Sequence, residues 1–327
     1  MKIYGETIPN IPWEAKPKDC SDVVWRSAVN PVIDNKKVFM ADRIYNSGVV
    51  PFNSGFAGVF RVDDKTKGPH LRVGFSKDGL NWDINDKKIE FEGDFDAIRG
   101  RYEYDPRVVF IEDRYYVTWC NSMSYGSSIG VAFTFDFKVF HRLENAFLPQ
   151  NRNGVLFPRK IGGKYMMLSR PSDSGHCPTG NIFISESPDL TYWGKHRFLL
   201  GTAPGWQGGK VGAGPIPIET DEGWLVIYHG TNQSCNGYIY SCGAALLDRE
   251  DPTKVLHRGG AFLLAPETDY ERVGEVGNVV FPCAALCDSE TGRLAIYYGA
   301  ADTVLCMAYS YVDDIINYIK KYDIANN

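Results

Sequence analysis

Five seven-residue segments of this chain align without gaps, and that repetition limits its fold more than any other property. They are GFAGVFR (Gly55 to Arg61), RYYVTWC (Arg114 to Cys120), KYMMLSR (Lys164 to Arg170), GWLVIYH (Gly223 to His229) and GRLAIYY (Gly292 to Tyr298). They recur every 50 to 70 residues or so, roughly the scale of propeller blades. Each follows a tight polar turn, such as Asn53-Ser54, Gly162-Gly163 or Asp221-Glu222, and another short apolar strand precedes each turn. Four of those preceding strands read as opening at Pro106, Pro158, Pro215 and Pro282, with Gly48 in the first copy. Proline lacks a backbone donor, so it suits the edge strand that faces a central channel.

Third strands follow at 71–76, 129–134, 182–187, 239–247 and 304–310. Several end in a turn carrying an acid and then an aromatic, as in Ser76-Lys77-Asp78-Gly79-Leu80-Asn81-Trp82 and Ser187-Pro188-Asp189-Leu190-Thr191-Tyr192-Trp193. Those turns read as hairpins with a packed aromatic and are not assigned any chemistry. The pattern predicts an all-β chain, a five-bladed β-propeller occupying 1–327 as one domain. Residues 1–29 read as a proline-rich N-terminal arm and 312–323 as a short amphipathic C-terminal helix, with Ile315, Ile316 and Ile319 on one face.

A length of 327 residues is ample for one large all-β core. The net charge of −5 argues against a nucleic-acid or anionic-membrane partner. The start of the chain has no basic segment leading into a long apolar one, and no apolar run reaches membrane-spanning length, so a soluble, cytoplasmic protein is expected. The eight cysteines are scattered and lack zinc spacing; reduced, mostly buried thiols are the expectation. Dispersed histidines and the lack of a calcium-loop pattern predict no metal.

Propeller connectivity then sorts the polar residues by face. Neighbouring strands run antiparallel, so the start of strand one, the end of strand two, the loop into strand three and the connection from the previous blade share one side. That side collects Asn46, Ser47, Tyr104, Asp105, Arg152 and Asn153 from strand-one starts, and Arg61, Arg170 and His229 from strand-two ends. Loops add Asp173, His176 and Asp302, and a blade connection adds Lys210. Singly, each has an ordinary reading: Asp105 as a turn cap or a partner of Arg107, the arginines as blade-to-blade ion pairs, His229 as a core histidine. Gathered around one axis, cationic groups in an apolar-walled funnel repel one another unless an anion joins them. Arginine forks and a lysine, together with His229 and the Asn153 amide, suit a tetrahedral oxyanion, and the glycines around Lys210 lack the context of a nucleotide-binding loop. Free phosphate with a sugar fits this set. Arg107 is expected to alternate away from the channel into structural pairing.

The segments Tyr104 to Val108, Asn151 to Lys160, Leu168 to Asp173, Gly212 to Pro217 and Tyr298 to Thr303 resemble glycoside hydrolase family 130, the β-mannoside phosphorylases. The similarity runs from about Trp25 to the C-terminus and is greatest to the branch acting on β-1,4-mannooligosaccharides and mannosyl-N-acetylglucosamine. It implies inverting phosphorolysis of a β-mannoside to α-mannose 1-phosphate, with inorganic phosphate as co-substrate and no cofactor. On that resemblance Asp105 is the one catalytic acid, acting through the mannosyl 3-hydroxyl. Arg152, Asn153, Arg170, Lys210, His229 and Tyr240 match phosphate positions. Asn46, Ser47, Arg61 and Asp302 match the donor-mannose subsite, with Tyr104 beside the acid and Asp173 and His176 on the substrate side. Relatives often self-associate, which makes the N-terminal arm the candidate for a homo-oligomer contact.

One carboxylate suffices physically, because phosphate is already an anionic nucleophile and cations take the place of the base that an inverting hydrolase needs. A protonated Asp105 would require burial, since nearby cations oppose it. The chain departs from the family pattern at Ser122-Met123-Ser124-Tyr125-Gly126, where relatives carry a Tyr-His-Gly loop, so a β-1,2 linkage stays open beside β-1,4. A propeller hydrolase pairing Asp105 with Asp302, and a non-catalytic sugar-binding propeller, are the readings from other classes.

Overall fold

Each of the five aligned segments contributes the second strand of a separate antiparallel sheet in the computed structural model, which describes residues 1–66, 68–93, 95–172 and 180–325. Blade one is Ala41–Phe52, Gly55–Asp64, Gly68–Ser76 and Trp82–Ile84. Blade two is Tyr102–Ile111, Arg114–Met123, Gly126–Thr134 and Phe140–Arg142, with Phe91–Glu92 added in parallel at its rim. Blade three is Asn151–Leu156, Tyr165–Pro171, Ile182–Ser187 and Gly194–Leu200. The inner strand of blade four is split into Lys210–Ala213 and Ile218–Thr220, both paired with Gly223–Ser234, and Gly237–Leu247 and Val255–Arg258 follow. Blade five is Val280–Cys287, Arg293–Ala300 and Val304–Tyr311. The chain is thus a five-bladed β-propeller with a short C-terminal helix, and the blades contact one another in ring order.

The segment read as an arm packs onto this ring. Trp25–Arg26 pairs antiparallel with Tyr309 and Ala308 as the outer strand of blade five, and Ile3–Tyr4 adds to blade four. A strand from the N-terminal segment therefore completes the blade built from the chain's last three strands. Arg26 fastens that closure: its guanidinium donates to both oxygens of the fully buried Glu271 at 2.8 and 3.0 Å, and Tyr298 donates to the same carboxylate at 2.9 Å. Glu271 also accepts the backbone N–H of Thr268 at 3.1 Å, at the start of a one-turn helix, Asp269–Arg272.

Apolar side chains from facing blades fill the ring in successive clusters, one of which includes Val312, Ile315, Ile316 and Ile319 of the terminal helix Val312–Lys321. The acid-aromatic turns are structural. Asp78 and Asp189 each accept two backbone N–H groups within their turns, while the indoles of Trp82 and Trp193 donate to the carbonyls of Gly79 and Leu190. The described cysteines are free thiols, most of them buried, and Cys235 is exposed. No helix among the described residues is long and apolar enough to cross a membrane.

The prolines do not mark equivalent strand starts, which corrects the reading from spacing. Pro106 lies inside its strand, where the pairing jumps from Tyr104–Cys120 to Arg107–Thr118, and Pro282 sits at a similar jump in blade five. Pro158 follows its strand, and Pro215 lies in the break of blade four. A residue without an N–H is accommodated where the ladder is already interrupted.

Candidate active site

Those interruptions build the site. Arg61, Cys120 and Arg170, the seventh residues of the first three segments, pair with Tyr45, Tyr104 and Arg152. In each inner strand the next residue is a bulge in the left-handed region: Asn46 at φ 46°, Asp105 at 53° and Asn153 at 53°. Asparagine and aspartate tolerate that conformation better than other side-chain-bearing residues. A bulge leaves its residue unpaired and turns its side chain off the sheet normal. Three successive blades thereby aim one short polar side chain each at the same end of the channel.

They meet in a cavity of about 240 Å³ with two chemically different walls. On the side of blades one, two and five lie Asn46, Arg61, Tyr104, Asp105 and Asp302. One oxygen of Asp105 accepts from the Asn46 amide at 2.8 Å and from Arg61 at 2.9 Å. Arg61 also pairs with Asp63 at 3.1 Å and lies against the rings of Tyr45 and Tyr104, 4.2 and 5.1 Å from their centroids. Burial raises Asp302 to about 6; Arg61 opposes the shift, and Asp105 and Asp63 reinforce it. Asn46 fits only because Gly299 has no side chain, since a Cβ there would come within 2.0 Å of its Oδ1.

On the side of blades three and four lie Arg152, Asn153, Arg170, Lys210 and Tyr240. Arg152 reaches the Ser127 hydroxyl at 3.4 Å, and the Lys210 ammonium sits 5.1 Å from the centroid of the Tyr240 ring and 4.7 Å from that of Tyr238. Among the described residues none of the three cations has a carboxylate partner. Burial, then Arg170 and Arg152, push Lys210 down to about 8, and burial lowers Arg170 as well. The Nε of Arg170 and the Oδ1 atoms of Asn46 and Asn153 are buried without a hydrogen-bond partner among the described residues.

Two of the residues expected in the funnel stand behind it. His229 is fully buried, and its Nε2 lies 2.8 Å from Arg170 Nη1. Burial, followed by Arg170, Arg107 and Lys210, drives its pKa well below the ordinary histidine value. It is therefore a neutral acceptor holding a guanidinium and adds no positive charge. Gly212 makes room for that pair, because a Cβ there would meet His229 at 2.5 Å and Arg170 at 2.9 Å. Ser47 is fully buried, its hydroxyl unpaired among the described residues, and does not line the cavity. Asp173 and His176 lie outside the described residues.

Spacing alone did not single out Cys120, Val276, Val279 and Phe281, which complete the wall. Cys120 could have been found as the counterpart of Arg61 and Arg170 in the aligned segments. Its thiol is pushed up to about 11, chiefly by burial. Arg107 also departs from expectation: its guanidinium turns inward and crosses the channel, as described below.

A family profile described as beta-1,4-mannooligosaccharide phosphorylase, of glycoside hydrolase family 130, matches residues 5–321. A beta-1,4-mannooligosaccharide phosphorylase from Ruminococcus albus is 56% identical over 327 residues, covering 98% of each chain. A beta-1,2-mannobiose phosphorylase from Listeria innocua is 39% identical over 254 residues, 77% of this chain and 69% of that one. The solved structure of the Listeria innocua beta-1,2-mannobiose phosphorylase with beta-1,2-mannobiose superposes with a TM-score of 0.81 at 31% identity, covering 91% of this chain and 99% of that one.

Proposed function

Because the chain belongs to glycoside hydrolase family 130, the mannoside phosphorylase family, we propose that it cleaves β-1,4-mannooligosaccharides with inorganic phosphate, reversibly, releasing α-mannose 1-phosphate. The observation that carries this reading is a cavity whose carboxylates, Asp105 and Asp302, lie on one wall, facing three cations, the buried Arg170 and the half-buried Arg152 and Lys210, that have no carboxylate of their own among the described residues. The β-1,4 linkage follows the relative that shares 56% of its sequence across nearly the whole chain.

The two walls support an in-line displacement. Phosphate held by Arg152, Arg170 and Lys210, with the Asn153 amide, approaches the anomeric carbon from blades three and four. The guanidinium forks match a tetrahedral oxyanion, and holding it against the carbon removes most of the entropic cost of bringing the two together. Asp105, on the opposite wall, delivers a proton to the glycosidic oxygen, through the mannosyl 3-hydroxyl on the family resemblance. The carbon–oxygen bond to the aglycone breaks as the bond to phosphate forms. The proton that hydrogen phosphate loses restores Asp105, so no second carboxylate is needed. Asn46, Arg61 and Asp302 contact the mannose. Tyr240 lies alongside the phosphate, and His229 acts through Arg170. Asp173 and His176 remain candidates for the sugar side. The protein is proposed to work in the cytoplasm, where phosphate is abundant.

The test is phosphate dependence. Mannobiose is expected to be consumed only when phosphate is supplied, with α-mannose 1-phosphate appearing in equal amount. Turnover at the same rate in phosphate-free buffer would replace this reading with hydrolysis. Running the reaction backwards from α-mannose 1-phosphate against mannose, glucose, N-acetylglucosamine and mannobiose identifies the acceptor. Exclusive formation of a β-1,2 product would overturn the linkage.

A further inference from the structure

Arg107 is 1% exposed, and among the described residues its guanidinium has no carboxylate partner. It is held by three backbone carbonyls. Nη1 donates to Asp105 O at 2.7 Å, Nε to Gly214 O at 2.9 Å and Nη2 to Ala213 O at 3.4 Å. Asp105 belongs to blade two and Ala213 and Gly214 to blade four, so the side chain spans the channel between blades that are not neighbours. The Phe281 ring of blade five, which lines the cavity, lies 5.6 Å from the guanidinium and 4.4 Å from the His229 ring.

Both ends of this bridge carry residues of the site. Asp105 sits in the bulge, outside the ladder to the second strand, because the pairing jumps from Tyr104 to Arg107. Its left-handed backbone must therefore be fixed by something other than the sheet. At the other end, the strand Lys210–Ala213 carries Lys210, and its Gly212 packs directly on the Arg170–His229 pair. The Gly214 peptide is itself held by its N–H on Ile227 O at 3.0 Å.

We propose that Arg107 is a positioning residue: by bridging the Asp105 carbonyl to the Ala213 and Gly214 carbonyls, it sets the distance between the proton donor and the phosphate-binding strand. The proposal rests on the phosphorylase reading above. The two reacting groups approach the anomeric carbon from opposite walls, and a shift of about 1 Å in such an arrangement costs on the order of 10²-fold in rate. A planar fork with donors along two edges can span three carbonyls. A lysine ammonium is a single point and cannot hold both ends at once.

The experiment compares Arg107→Lys and Arg107→Met with the unaltered protein in phosphorolysis of mannobiose. Folded fraction is measured by circular dichroism melting, and sugar affinity by calorimetry without phosphate. The expected kcat per folded molecule falls about 10- to 100-fold in Arg107→Lys and further in Arg107→Met. The mannobiose Kd should stay within about threefold, since Asn46, Arg61 and Asp302 still hold the mannose. A purely structural role predicts a lower melting temperature with unchanged kcat per folded molecule, and that result overturns the proposal. So does failure of both variants to fold, which assigns Arg107 to the scaffold alone. Failure of the phosphorylase reading shows up separately, as absence of phosphate consumption by the unaltered protein.

Discussion

Replacing Lys210 with methionine is expected to stabilise the ligand-free protein while weakening its response to phosphate. Lys210 is pushed down to about 8, from an ordinary 10.5, by burial and then by Arg170 and Arg152. That difference of about 2.5 pH units corresponds to roughly 3.4 kcal/mol at about 1.36 kcal/mol per unit. Partial solvent screening of the ammonium reduces this to about 1–2 kcal/mol, and loss of its contact with the tyrosine rings takes back up to ~1 kcal/mol. The folded pKa lies below the unfolded one, so the penalty is fully present below about pH 8 and disappears as pH rises to the ordinary lysine value. With ~2.1 cal/mol/K of unfolding entropy per residue, about 0.7 kcal/mol/K for the chain, Lys210→Met should melt up to ~3 °C higher at pH 7. The gain should shrink toward pH 10.5. Phosphate at about 100 times its Kd should raise the unaltered protein by roughly 2.7 kcal/mol, or ~4 °C, and the variant by clearly less. Differential scanning calorimetry at pH 7 and pH 10, with and without phosphate, reads all of these. Lower stability of the variant at pH 7, or an undiminished phosphate response, would refute the reasoning.

Asp105→Asn should lower kcat by about 10²- to 10⁴-fold with mannobiose Kd nearly unchanged, whereas a binding-only propeller would retain its full function. Asp302→Asn should be more stable than the parent by about 1–2 kcal/mol above pH 6. Because burial raises the folded pKa of Asp302 to about 6, that advantage should fade as pH falls toward 4, as thermal melts across pH can follow. Gly299→Ala places a methyl against the Asn46 amide, so the Asn46–Asp105 bond should break and kcat fall ~10-fold at a stability loss of about 1–3 kcal/mol; unchanged kinetics would mean that Asn46 does not orient the acid. Asn153→Asp should raise the KM for phosphate by at least ~10-fold while leaving mannobiose affinity alone, and an unaltered phosphate KM would remove blades three and four from the anion site.

The second strands were legible because a buried central strand repeats its alternation once per blade, and Arg61, Arg170 and Asp105 could be placed on one face from that register. The inner strands were not, because their pairing is broken by bulges that no apolar period reports. Aligning on proline put Pro158 opposite Pro106, whereas the strand pairing makes Asn153 the counterpart of Asp105. The left-handed asparagines at 46 and 153 were the better guide. Closure by Trp25–Arg26 was invisible for a different reason: two residues carry no period, and the ion pair of Arg26 with Glu271 spans 245 positions. The sequence marked His229 as titratable, but only burial decides its charge. Arg107 faces inward because a guanidinium can satisfy carbonyls on another blade, which strict strand alternation does not anticipate.

Charge is distributed unequally around the ring, and on the proposed mechanism that inequality gives the reaction its direction. Asp63, Asp105 and Asp302 come from blades one, two and five and gather around Arg61, so acids outnumber cations on that wall. Arg152, Arg170 and Lys210 come from blades three and four and are uncompensated among the described residues. In a ring of five, the boundary between blades three and four lies across from blade one. On the proposed mechanism, a phosphate held at that boundary lies across the anomeric carbon from Asp105 and the glycosidic oxygen it protonates, as inversion requires. An inverting hydrolase on the same scaffold would need a carboxylate on the cationic wall to take a proton from water. Its bulge position there is Asn153, whose amide cannot serve as that base, so the wall proposed to recruit phosphate would leave water without activation.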